Sequence, residues 1–423
     1  MDQAEVDLLK RMMEWEGQRS EPPEGFPALP DMPAARYTSA EYFALEQEHI
    51  FGKSWLFAGH IDEVPEPGCY MRWDNAGQPL VIVHGSDGVV RAFYNTCRHR
   101  GAPVVTDQRG KSMRLVCSYH NWTYKTDGTL VGIPERRDFA NLDLACRSLI
   151  SVRCERFGNC IFVNLDDHAM PLLDWLGPLA AEWAEFGFDR VRLGARHSFE
   201  LNCNWKVAME ANMEVYHVPF IHPTTVAPLV DAKRNFNSFY PNGHARMLAP
   251  PPAQTDRAHV RAIDSPPEWK QIETVGELGR TCTQSYTLFP NWVSPLSNYF
   301  VPPLVFWPTS LGTTRLELVT MALDWGEGPA PDLWTVPDPA ASHGRAMSPI
   351  ILEDTQFGEA IQRSMESRAF RSVPLSYQEA RIYYFHQQCD AMIGANRVPP
   401  ELRVDPVIDA RWAGPDDPRF RLV

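Results

Sequence analysis

Cys97-Arg98-His99 is followed, after 17 intervening residues, by Cys117-Ser118-Tyr119-His120. Each half offers one thiolate and one imidazole, and each falls in a turn after a strand-like run. Two equal Cys/His pairs on two loops suit a dinuclear iron–sulfur cluster in which one iron takes both cysteines and the other both histidines. Such ligation raises the potential to roughly −150 to +300 mV, well above an all-cysteine plant-type cluster. Gly101 and Pro103 after the first pair, and Gly128 after the second, supply the tight turns that close two loops over a cluster. Trp122 and Tyr124 are placed to shield it from water. A structural zinc site also takes two Cys and two His, but zinc fingers group the cysteines and the histidines separately. Here each pair mixes them. Unrelated core residues are the remaining alternative.

Working outward, β-rich runs surround these motifs at Cys69–Trp73, Leu80–His84, Val89–Asn95, Leu115–Ser118, Thr129–Val131 and Asn159–Leu165, punctuated by Asp87-Gly88 and Asp127-Gly128. That pattern predicts a small antiparallel β domain. Upstream, the Pro- and Gly-rich residues 17–36 read as an extended arm, and Ser39 with Glu41 signals a helix over Ser39–Phe51. Downstream the period turns helical from Leu172, with Trp175, Leu179, Trp183 and Phe186 on one stripe. A second strand-rich region spans Cys282–Asp324, followed by helices near Pro349–Ser367 and Ser376–Met392. The expected division is an arm at 1–37, the β domain at 38–165, and an α+β domain at 166–423, with the helix 39–51 expected to pack on the last.

The later domain holds a second constellation. Asn204–His217 has few breakers, so a helix is expected with Glu210, Glu214 and His217 on one face. Pro219 and Pro223 should end it, placing His222 in the turn beyond. Two histidines so placed supply two ligands for a non-heme iron, and Glu353-Asp354 is the expected source of the carboxylate. Two His and one carboxylate on one side of Fe(II) leave positions open for O2 and substrate. Glu210 reads either as support for that site or as a surface partner of Lys206.

Composition bounds the rest. The 423 residues suffice for two or three domains. A net charge of −13, with no basic stripe, argues against nucleic acid and against an anionic membrane as partner. Proline, 37 residues or about 9%, favours a loop-rich, strand-containing chain. Met1–Arg19 carries five acidic residues and no apolar core, and the runs Leu172–Leu179 and Asn298–Trp307 are too short and too broken for a membrane span. A cytoplasmic location is the expectation. Seven of the nine cysteines, all but Cys97 and Cys117, read as structural thiols.

On Cys97, His99, Cys117 and His120, then Asn204-Trp205-Lys206, Glu214, Tyr216, His217, His222 and Pro223, then Glu353-Asp354, the chain resembles the large (alpha) subunit of Rieske-type non-heme iron oxygenases, the ring-hydroxylating family. The resemblance spans about Tyr37 to His386. It implies an α+β architecture: an antiparallel β Rieske [2Fe-2S] domain plus a helix-grip catalytic domain. It implies mononuclear Fe(II) on His217, His222 and Asp354, O2 as co-substrate, and NAD(P)H electrons delivered by a reductase with or without a ferredoxin. It further implies a homotrimer, with or without a beta subunit. Electrons would cross a subunit boundary through Glu214, which matches the bridging position. Many ring dioxygenases have Asp there, and many carry Asn where this chain has Ala211, so insertion of one or two oxygen atoms stays open.

The substrate wall is expected after His222 and along Tyr286–Val305, with Phe289, Trp292, Leu296, Tyr299 and Phe306. Such a wall suits an aromatic or other hydrophobic ring compound. The same aromatics could cage a quaternary ammonium group for oxidative N-demethylation, with O-demethylation of a methoxy group as its counterpart. Lys233, Arg234, His244 and Arg246 could instead bind a carboxylate. A bare electron carrier would need only the β domain. Arg98, Arg100, Arg109, Lys111 and Arg114 form the expected docking patch for a redox partner.

Overall fold

The runs flanking Cys97 form strands close to their expected places. The computed structural model describes all residues except 2, 254, 256–268, 342–343 and 409–423. The chain divides into two compact units, Phe51–Trp175 and Met1–Ile50 with Leu176–Val423.

In the first unit, seven antiparallel strands lie in the order Leu56–His60, Cys160–Asn164, Ser151–Phe157, Val90–Tyr94, Gln78–His84, Cys69–Asn75 and Arg109–Lys111. A three-stranded sheet adds Arg114–Val116, Thr123–Lys125 and Leu130–Gly132. Leu80, Val81, Ile82 and Val83 form an unbroken apolar run and are buried on both faces of the sheet. Asp127-Gly128 turns the last hairpin, with Gly128 at φ 86°. A Cβ there would come within 2.5 Å of the Phe93 ring, so only glycine fits. Phe93, Leu115, Trp122, Tyr124 and Leu130 pack around Cys97 and Cys117.

The second unit is built on an eight-stranded antiparallel sheet. Its main path runs Arg192–Leu201, Thr313–Ala322, Leu304–Ser310, Trp292–Leu296, Thr283–Leu288, Ala245–Ala249 and Phe236–Phe239, with Phe300–Val301 paired on Thr313–Ala322. The helix Ala380–Ile393 is buried along most of its length, from Ala380 to His386 and at Cys389, Asp390 and Ile393. The fold class is the expected α+β pairing.

Three expectations need correcting. The arm expected over residues 1–37 is extended only in part: residues 19–31 form no helix or strand, but the residues before them do. Gln3–Gln18 is an amphipathic helix whose Val6, Leu9, Met12 and Met13 pack on Phe236, Leu248 and Leu278. Burying each such side chain is worth roughly 1.5–3 kcal/mol, which an extended arm would forgo. The boundaries also move, the β unit running from Phe51 to Trp175, while Ala40–Leu45, capped by Ser39, and the π-helical turn Glu46–Phe51 group almost wholly with the second unit, the side on which that helix was expected to pack. Finally, Asn204–His217 is not one helix. It stops at Glu210, and a separate short helix, Val218–Ile221, begins after His217. The reason is local. Glu214 accepts hydrogen bonds from the backbone N–H groups of Tyr216 and His217, and Pro219 cannot donate to a preceding carbonyl.

Candidate metal centres and substrate cavity

The two Cys/His motifs make one turn twice. The N–H of Cys97 donates to the carbonyl of Ala102 and the N–H of Gly101 to that of Cys97; Cys117 with Trp122 and Asn121 with Cys117 repeat the pattern. The fifth residue of each loop is left-handed, Gly101 at φ 78° and Asn121 at φ 54°. Glycine and asparagine tolerate that conformation. The second turn is thus made by Asn121, while Gly128 serves the hairpin beyond it. Cys97 and Cys117 are buried, and the His99 and His120 rings converge with their Nδ1 atoms 3.1 Å apart. Trp122 stacks flat on His99 at 4.9 Å, and the Tyr124 hydroxyl lies 3.3 Å from Cys97 Sγ. Burial pushes the Cys97 thiol up, with the adjacent Cys117 thiol adding to it against the Tyr124 hydrogen bond. Two buried thiols backed by two facing imidazoles fit a cluster with one all-sulfur and one two-histidine iron.

His217, His222 and Asp354 each offer a ligand atom, all within 4.8 Å of one another. Asp354 Oδ1 lies 2.7 Å from His222 Nε2 and 3.4 Å from His217 Nε2. The opposite ring nitrogens are also held: His222 Nδ1 is 2.6 Å from Glu353 Oε2, itself bonded by Thr225, and His217 Nδ1 meets Glu214. A carboxylate on Nδ1 fixes the proton there and frees Nε2 for a metal, the usual arrangement behind a histidine ligand. The donor set therefore fits a mononuclear iron with open positions.

Glu210 goes elsewhere. Its carboxylate meets the Tyr37 hydroxyl at 2.8 Å and His386 Nε2 at 2.7 Å, and His386 Nδ1 accepts from Arg36 Nε. Lys206 is not its surface partner, being fully buried and paired with Glu46 at 2.6 Å. Burial raises the Glu210 carboxyl to about 8, against the Tyr37 hydrogen bond. Because an unfolded glutamate titrates near ~4.3, folding favours the protonated form. That stability is complete below the unfolded value and is lost as pH rises through about 8. Glu210→Gln is expected to flatten the fall in melting temperature between about pH 5 and about pH 8. A slope identical to wild type would reject this account.

A cavity of about 370 Å³ reaches His217, His222 and Asp354. Val226, Leu229, Met247, Val293, Leu296 and Leu304 give it an apolar wall, with Tyr299, Phe300 and Trp334 as its aromatics. Of the five wall residues expected from sequence, Leu296 and Tyr299 line it, whereas Phe289, Trp292 and Phe306 do not. Side chains alternate along a strand: Val293 faces the cavity, so Trp292 points away and packs against Trp183 at 5.6 Å. Phe289 is buried against Phe385. The proposed carboxylate binders are also committed within the fold: Arg246 to Glu182 at 2.8 Å, Arg234 to Glu14, and His244 Nδ1 to the Phe289 N–H, leaving Lys233 exposed. In the docking patch, Arg109 is paired with Glu63 and Lys111 with Glu66. Among the described residues no helix is long and apolar enough to cross a membrane.

Comparison with known proteins places these units. Residues 188–395 match the family model for the ring hydroxylating alpha subunit (catalytic domain), and residues 54–146 that for the Rieske [2Fe-2S] domain. The chain is 36% identical over 202 residues to the glycine betaine monooxygenase oxygenase subunit of Chromohalobacter salexigens, covering 47% of this chain and 45% of that one. It is 35% identical over 218 residues to the 2-aminobenzenesulfonate 2,3-dioxygenase subunit alpha of an Alcaligenes species, covering 50% and 55%. The matched region thus spans about half the length of these curated relatives. Among solved structures, a quaternary ammonium Rieske monooxygenase superposes with a TM-score of 0.70 at 25% identity, covering 88% of this chain and 99% of that one.

Proposed function

Because the chain belongs to the Rieske-type, ring-hydroxylating family of non-heme iron oxygenase alpha subunits, we propose that it is the oxygenase component of an O2-dependent system fed with NAD(P)H electrons by a separate reductase, with or without a ferredoxin. The observation that carries this reading is the convergence of His217, His222 and Asp354 on an apolar cavity. Cys97, His99, Cys117 and His120 would hold the [2Fe-2S] cluster, and His217, His222 and Asp354 the mononuclear Fe(II). When bound, these irons supply the electron storage and oxygen chemistry that side chains lack.

The protein's own part is positioning. Glu353 and Glu214 hold the two Nδ1 protons, so both imidazoles present Nε2 to one point. Val226, Leu229, Met247 and Leu304 keep water from that point and favour a compact, largely apolar substrate.

The first substrate reading is a quaternary ammonium compound, supported by two of the relatives above and by Tyr299, Phe300 and Trp334, whose ring faces attract cations. The second is an aromatic ring compound, supported by the same aromatic lining and by the dioxygenase relative. A cytoplasmic homotrimer completes the proposal. Tyr216 and Phe220 beside His217 are 57% and 74% exposed, and Tyr119 beside His120 is 54% exposed. Large apolar groups bared next to both candidate centres suit coverage by further copies.

Metal and sulfide analysis with the visible spectrum tests the reading. About three irons and two sulfides per chain are expected. Two irons would instead make the chain an electron carrier, and zinc a scaffold. A panel of quaternary ammonium and aromatic compounds, scored for O2-dependent product with a surrogate reductase, then separates the substrate readings.

A further inference from the structure

Buried arginines in this fold pair with carboxylates: Arg36 with Asp390 at 2.8 Å, Arg246 with Glu182 at 2.8 Å. Arg381, on the helix Ala380–Ile393, does not. It is fully buried, and among the described residues no carboxylate meets it. Its terminal nitrogens donate to Ser285 Oγ at 3.2 Å and Thr287 Oγ1 at 2.5 Å, while its Nε has no partner among them. Burial alone brings its pKa down to about 9. An uncompensated buried cation is costly, and any anion brought near it is correspondingly favoured.

Ser285 and Thr287 lie on one face of the strand Thr283–Leu288. Ser285 lines the cavity together with its cross-strand neighbours Met247 and Pro295. Since the Arg381 N–H donates to Ser285 Oγ, the hydroxyl hydrogen is left for another acceptor. No described group takes it. Arg381 stands behind Ser285 and does not itself line the cavity; the arginine that does, Arg280, is 38% exposed and already engaged by the carbonyls of Val275 and Glu273.

We propose that Ser285, backed by Arg381, is the substrate anchor of the cavity, its hydroxyl donating to an anionic group, a carboxylate or sulfonate, whose charge Arg381 offsets. This deepens the reading of the cavity as the substrate site and rests on it. The anchor selects which molecules dwell there and fixes which end of them faces away from Ser285.

The test uses matched probes that differ only by carboxylate against hydroxymethyl: glycine betaine against choline, and benzoate against benzyl alcohol. Dissociation constants are read by calorimetry on the full-length, metal-loaded protein. In at least one pair the anion is expected to bind about tenfold more tightly than its alcohol. Ser285→Ala should erase that preference and leave the alcohol's affinity unchanged, while Ser285→Thr, which keeps the hydroxyl, should restore it. Arg280→Ala should leave it intact. Equal binding of both members in both pairs, no binding by either anion, or a preference that survives Ser285→Ala overturns the anchor. Met247→Phe, which narrows the cavity, distinguishes the underlying reading. Binding that ignores this change overturns the cavity as the substrate site, whereas binding lost in Met247→Phe with preference kept in Ser285→Ala overturns the anchor alone.

Discussion

Asp354→Ala is expected to lose its mononuclear iron and its O2-dependent turnover while keeping the visible spectrum of the cluster. Asp354 Oδ1 faces both Nε2 atoms, and its side chain is only 9% exposed. No other carboxylate among the described residues reaches both nitrogens, since Glu353 and Glu214 are turned to the Nδ1 side. Two imidazoles alone are a poor site for Fe(II), which takes hard oxygen ligands as well as nitrogen. The cysteines and histidines of the cluster lie in the other unit, so their colour should persist. Losing a partner behind a ligand usually costs about 10–100-fold in affinity, so losing the ligand itself should exceed about 100-fold. Glu353→Ala provides the gradient, because it removes only the group that orients His222, and should fall within that range. Iron per chain, absorbance and O2 uptake with a surrogate reductase check both variants. An Asp354→Ala protein with full iron and full turnover would remove Asp354 from the ligand set.

What could be read from sequence follows from how local the signal is. The cluster motifs are self-contained: the spacing within each Cys/His pair sets the turn, and a left-handed fifth residue is available as Gly101 and Asn121. Only the second of these is hard to read from sequence, because asparagine is a weaker turn signal than Gly128 nearby. The break after Glu210 was invisible to helix propensity, since it is made by a side chain, Glu214, capturing backbone donors two and three residues ahead. The cavity wall failed for a different reason. Aromatic content along Tyr286–Val305 does not mark the wall, because the pleat sends Trp292 away and brings Val293 and Ser285 inward. Alternation was legible there; which phase faced the site was not. The helix Gln3–Gln18 is legible in Val6, Leu9 and Met13 at helical spacing, a signal diluted by the charged residues between them. Arg381 lay beyond any local reading, because its isolation depends on which carboxylates the fold brings near.

Glu214→Gln is the sharpest probe of how the two centres cooperate, and its expected result is a split between properties that a structural defect would lose together. One carboxylate oxygen of Glu214 accepts from the N–H groups of Tyr216 and His217, and the other meets His217 Nδ1. Glutamine keeps the length and one acceptor oxygen, so the turn before Val218–Ile221 should still form and the melting temperature should hold. What disappears is a negative charge against the His217 ring; burial pulls that imidazole down, and Asp354 and then Glu214 hold it up at about 9. Iron affinity should fall by no more than about 10–100-fold, so iron can be restored by loading. Chemical reduction should still bleach the cluster, whose ligands are untouched. Oxygenation, by contrast, should fall by more than about 100-fold even with both centres filled, if the carboxylate is the link through which a neighbouring subunit's cluster serves this site. Glu214→Ala should show the same loss together with weaker iron, because it also frees the turn. The contrast with Glu353 makes the test specific: both glutamates support a histidine, but only Glu214 lies beside the bared Tyr216 and Phe220. Normal turnover in iron-loaded Glu214→Gln would reduce Glu214 to a support for His217, and equal losses in the iron-loaded Glu353 variant would do the same.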